Sequence, residues 1–82
     1  MTKMDETEKR WTKIAADLLV GRRIVLVRYM KEQEAQDMGW SGRPIVLVLD
    51  DGNLIYPSMD DEGNDGGALF TNKAEHPVLP TL

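Results

Sequence analysis

The sequence predicts a small α+β domain, and three stretches carry that expectation. Apolar residues recur at helical spacing between 5 and 20, Ile24 to Val27 form an unbroken apolar run, and Arg43 to Pro57 hold two apolar runs around Asp50-Asp51-Gly52. In the first stretch Trp11, Ile14, Ala15, Leu18 and Leu19 fall at i, i+3, i+4, i+7 and i+8, one stripe of an α-helix with charge opposite. Asp5 followed by Glu8 predicts an N-terminal cap, and Gly21 is placed to stop the helix in a left-handed conformation. Residues 1–4 are expected to fray, and the stripe is expected to pack on the sheet, with Trp11 as its anchor.

Ile24 to Tyr29 is the first expected strand. Its four leading apolar residues predict that both faces are covered at that end, while Arg28 predicts one wet face at the other. Lys31 to Met38 is a short polar helical pattern closed by Gly39. Trp40 follows directly, and it either folds back over that helix or stands partly exposed as a binding anchor. Ile45 to Leu49, the turn at Asp50-Asp51-Gly52, and the return over Asn53 to Tyr56 read as a β-hairpin. Gly52 supplies the positive φ of a three-residue loop with a bulge or of a two-residue turn. Ser58 to Gly67 is a polar, glycine-rich surface loop, and Ala68 to Thr71 a further short strand. Pro77 to Pro80 is an extended piece confined to a sheet edge, because its prolines cannot donate ladder hydrogen bonds there. These elements compose one domain over residues 1–82: an N-terminal amphipathic helix at 5–20 on a small, bent antiparallel sheet at 23–80. An SH3-like barrel is favoured, with an open antiparallel sheet under one helix as the alternative.

Composition narrows the function classes. The 82 residues carry 10 Lys and Arg against 14 Asp and Glu, a net charge of −4, which repels a phosphate backbone at long range and disfavours general nucleic-acid binding. Cysteine is absent, so disulfides, thiolate metal sites and cysteine nucleophiles are excluded together; a reducing cytoplasm is the expected compartment. No apolar run approaches the ~18 residues of a membrane span, and no membrane association is expected. His76 is the single histidine, so neither a triad nor a multi-histidine metal site can be assembled within one chain, and enzyme activity is not expected.

Three candidate surfaces remain. Asp60, Glu62, Asn64 and Asp65 are oxygen ligands of the type that calcium or magnesium takes, with glycines at 63, 66 and 67 to let the backbone wrap. The pattern departs from an EF-hand loop, since Asp65 occupies the sixth position where glycine is required, and the competing reading is a solvated turn whose side chains bond local amides. Arg22, Arg23, Arg28, Lys31 and Arg43 could form one basic patch for a nucleic acid, against which stands pairing with Glu32, Glu34 and Asp37. Tyr29, Trp40, Pro44, Tyr56 and Pro57 sit at strand ends, where a groove in a small barrel would take a protein segment. Edge strands offer self-association as a second route to a protein partner. The leading expectation is a non-catalytic protein-interaction module, with a divalent-cation-responsive module and then a weak nucleic-acid binder as alternatives; no cofactor is required.

The run Gly21 to Met30, the step Met38-Gly39-Trp40, and Asp50-Asp51-Gly52 through Asp60 to Phe70 together resemble small uncharacterised bacterial proteins over residues 21–70. The resemblance implies a stand-alone small domain and carries over no functional residues.

Overall fold

The computed structural model describes residues 5–82, so the expectation for 1–4 lies outside the described residues. Helix α1 (Glu6–Leu19) leads into strand β1 (Ile24–Tyr29), followed by helix α2 (Glu32–Met38) and strands β2 (Ile45–Leu49), β3 (Leu54–Ile55), β4 (Leu69–Phe70) and β5 (Val78–Leu79). β1, β2 and β3 make an antiparallel sheet in that order; β4 and β5 make a separate antiparallel pair. The α+β class holds. The described strands stay in these two small sheets and do not close into the favoured barrel, so the open-sheet alternative is the nearer one, with a second helix added.

Local chemistry accounts for the elements. Asp5 caps α1, its Oδ1 accepting from the Glu8 N–H at 2.7 Å, and Glu6 and Glu8 lie at the positive end of the helix dipole. Gly39 ends α2 at φ 75°, with its N–H and that of Trp40 returning to the carbonyls of Gln36 and Ala35. The hairpin has the three-residue loop with a bulge. Gly52 N–H donates to Leu49 O at 3.0 Å, Leu49 N–H donates to Asn53 O at 2.9 Å, Gly52 has φ 87°, and Asp51 accepts from the Asn53 amide. β5 pairs with β4 alone, as an edge piece flanked by prolines should.

The core is small and lies in one half of the molecule. Met30, Ala35, Trp40 and Val46 form a buried cluster against which Val48 packs. Pairing places Arg28 opposite Val46 and Leu26 opposite Val48, so these four share one face of the sheet; Tyr29, Val27, Ile45 and Leu47 share the other. α2 and Trp40 cover only the Val46 end of the first face.

Two expectations about the N-terminal part fail. α1 does not pack on the sheet, as every residue of it except Ala16 is exposed. The leading half of β1 is not covered on either face, because Ile24, Val25, Leu26 and Val27 are all exposed. A stripe tells which side of a helix is apolar and says nothing of what meets it. Here β1 is the edge strand of its sheet, and the cover that α2 and Trp40 provide stops short of it. The radius of gyration is 14.7 Å, where a compact domain of this length would have roughly 12 Å.

Candidate interaction surface

The acidic loop is a tie, not a cluster of free ligands. Asp65 Oδ2 accepts from the Ser41 hydroxyl at 2.7 Å, and Asp65 Oδ1 accepts from the amides of Gly42 at 2.9 Å and Gly66 at 2.7 Å. The Ser41 hydroxyl first, then those amides, hold the Asp65 carboxyl below its usual range. Asp60 turns inward on its own loop and accepts from the amides of Glu62 and Asn64 and from the Asn64 side chain. Of the four predicted ligands, Asp60 and Asn64 are thus in contact while Asp65 is held by Ser41, Gly42 and Gly66, and no group of three His, Cys, Asp or Glu residues that could hold a metal ion forms among the described residues. The two aspartates bond amides belonging to different segments, which is the solvated-turn reading with one long-range addition.

That addition organises the C-terminal half. Ser58 pairs with Gly66 in an isolated bridge, Gly67 N–H donates to Pro57 O, and Arg43 and Leu82 exchange both backbone hydrogen bonds at 2.9 and 3.0 Å. The backbones approach so closely that a Cβ at Gly66 would lie 2.7 Å from Pro44 Cδ, and one at Gly67 2.7 Å from the Ser58 carbonyl.

The expected aromatic and proline groove is filled. Trp40 is 6% exposed and Pro44 is fully buried, so neither is available as an anchor. The Trp40 indole N–H donates to Gly63 O at 2.7 Å, and its ring meets Tyr56 edge-on at 5.9 Å. Tyr29 and Pro57 are half-buried, leaving Tyr56 as the exposed member. Trp40 thus takes the first of its two expected roles, folded back over α2.

Two of the five basic residues, Arg28 and Arg22, face acids. Arg28 holds Glu34 through two parallel bonds of 2.8 and 3.1 Å, and Arg22 faces Asp50 and Asp51 at 3.7 and 3.6 Å. Glu34 also accepts from the Lys31 N–H, and Arg28 first, then that amide, push its carboxyl down to about 2. Arg43 reaches Met30 O at 3.5 Å. His76 is exposed in the turn between β4 and β5, where its N–H donates to Lys73 O. An open concavity of about 540 Å³ lies between α2 and the C-terminal segment, lined by Glu32, Gln36, Trp40, Arg43 and Leu82 among others. Every buried side-chain nitrogen and oxygen among the described residues has a hydrogen-bond partner, so no orphaned group points into it.

The feature that sequence reasoning missed lies at the other end. Trp11, Ile14, Leu18, Leu19, Val20, Ile24, Val25, Leu26 and Val27 are between 42% and 75% exposed. They expose apolar side chains on α1 and on both faces of the leading half of β1, more than scattered single surface hydrophobics would leave in water. Arg10 lies over the Trp11 ring at 5.4 Å and is the charged rim of this surface. A signal for it exists in the sequence: Ile24 to Val27 need covers on two faces, and one amphipathic helix supplies only one. No helix among the described residues is long and apolar enough to cross a membrane. Comparison with protein-family models, with curated proteins and with solved structures finds no match to this chain.

Proposed function

We propose that this protein is a non-catalytic interaction module whose docking surface is the apolar arm made by α1 and the leading half of β1. The observation that carries the reading is the exposure of nine consecutive-element apolar residues from Trp11 to Val27, while the same chain buries Trp40, Ile45, Val46 and Leu49 thoroughly. Leaving that area in water forgoes about 25 cal/mol per Å², a gain that a partner's surface recovers. The unpaired outer edge of β1 adds backbone donors and acceptors to the same place. The cysteine-free composition supports a cytoplasmic setting.

The test is affinity purification of tagged wild type and of Leu26→Lys from the native host, with quantitative mass spectrometry. A stoichiometric protein, either another copy of the chain or a different one, is expected with wild type and lost from the variant. Recovery of the same protein by both forms would remove the arm as the docking surface.

A further inference from the structure

We infer that residues 58–66 form a lid over Trp40, which swings open as a unit at its Pro57–Gly67 neck and is latched shut by the Asp65 side chain.

The segment holds its own shape. Met59 N–H and the Ser58 hydroxyl both donate to Asp65 O at 2.9 Å, and Gly67 N–H donates to Pro57 O at 3.0 Å, so its two limbs are tied to each other at the neck. At the tip, Asp60 accepts from the amides of Glu62 and Asn64. All of these bonds lie within the loop and its neck, and they survive when the loop lifts off the body. It can open without melting.

Its hold on the body is of another kind. Met59 is the one large apolar side chain of the segment, and it is exposed, as are residues 60–64. Gly66 lies against the Pro44 ring with no side chain to lodge there. What remains is polar, and it falls on three successive residues. The Trp40 indole N–H donates to Gly63 O at 2.7 Å, the Ser41 hydroxyl to Asp65 Oδ2 at 2.7 Å, and Gly42 N–H to Asp65 Oδ1 at 2.9 Å. Two of these donors end on one carboxylate, which makes Asp65 the latch. On opening, such bonds are exchanged for bonds to water, at a far smaller net cost than tearing out a buried apolar side chain.

The core does not depend on the lid. Trp40 belongs to the buried cluster with Met30, Ala35 and Val46, and none of these residues lies in the segment that moves. Lifting the lid therefore bares the Trp40 indole N–H, the Ser41 hydroxyl and the Gly42 amide while α2 and β2 stay packed. The closed form withholds those three donors by filling them from its own chain.

Hydrogen exchange followed by nuclear magnetic resonance tests this. The Trp40 indole N–H and the Gly42 amide bond to the lid, whereas the Met30 amide bonds to Pro44 O within the body. In the wild-type chain the first two are expected to share one protection factor, at least about 10-fold below that of Met30. Asp65→Ala is expected to lower the protection of the Trp40 indole by about a further 10-fold. Gly52→Ala strains the hairpin and touches no bond of the lid, so it is expected to lower Met30 protection by about 5-fold and leave the Trp40 indole unchanged. A wild-type indole as protected as Met30, or parallel losses at both places in Gly52→Ala, overturns the lid, since it would then open only when the whole fold does. An indole unchanged by Asp65→Ala overturns the latch. Should Asp65→Ala fail to fold, Ser41→Ala removes one latch bond and takes its place, with an expected loss of about 3-fold at the indole and no loss as the overturning result.

Discussion

β1 is one strand with two fates. Ile24 to Val27, the most apolar part of it, lie in water, whereas Arg28 and Tyr29, the polar part, are half-buried and run on into the buried Met30. The difference is what stands alongside. At the far end Glu34 on α2 receives the Arg28 guanidinium, and Val46 sits across the ladder; at the near end nothing among the described residues comes close enough to exclude water. Burial follows from neighbours and not from a side chain's own hydropathy, and an apolar segment without neighbours is the part of a fold that still has a free surface to satisfy.

The comparison can be broken first at the buried end. Trp40→Ala removes an interior ring, its hydrogen bond to Gly63 and its edge contact with Tyr56, and should cost about 3–5 kcal/mol in urea unfolding, most of the stability of a domain this small. A loss under about 1 kcal/mol would show that the Trp40 cluster is not what holds the fold. Gly67→Ala is next. Its methyl would meet the Ser58 backbone at 2.7 Å, a steric conflict with no flexible side chain to yield, and should cost about 1–3 kcal/mol by the same measurement. Gly52→Ala, forced to φ 87° in the hairpin loop, should cost roughly 1 kcal/mol.

Acid sharpens the contrast more gently. Glu34 has its carboxyl lowered from 4.5 to about 2 in the folded protein, so its contribution is complete above 4.5 and is lost as pH falls through the interval down to about 2. Asp60 and Asp65 are shifted in the same direction and add to the same acid limb. Stability followed against pH should fall in that window, and Glu34→Gln should flatten the fall; a variant with the wild-type slope would detach the Arg28–Glu34 pair from it. The smallest effect belongs to the arm. Trp11→Ala, measured at concentrations too low for association, should change monomer stability by no more than about 0.5 kcal/mol, because the ring has little to lose on its own chain. A larger loss would mean that α1 packs on the body after all.

Much of the fold was legible in residue chemistry. Asp50-Asp51-Gly52 between apolar runs specifies its hairpin through turn geometry alone, Gly39 specifies the end of α2, and the prolines around Val78 specify an edge strand, because each of these is decided within a few residues. What depends on distant segments was not legible. Asp65 looks like an ion ligand until Ser41 and Gly42 arrive beside it from 24 and 23 positions away. Trp40 and Pro44 look like surface anchors until the loop carrying Gly63 and Gly66 closes over them. The exposure of Trp11 and Leu26 was hidden for the opposite reason, since periodicity presumes a partner for every stripe and none meets them among the described residues.

The reciprocal bonds between Arg43 and Leu82 join points far apart in the chain, and the short segment they hold is gripped from the other side by Met30, whose N–H donates to Pro44 O. Such a closure pays its loop entropy before it returns any binding. The hairpin at Gly52 closes over three residues and the fastening of the tail beside residue 43 over some forty, so topology predicts that the second closure limits the folding rate of the body.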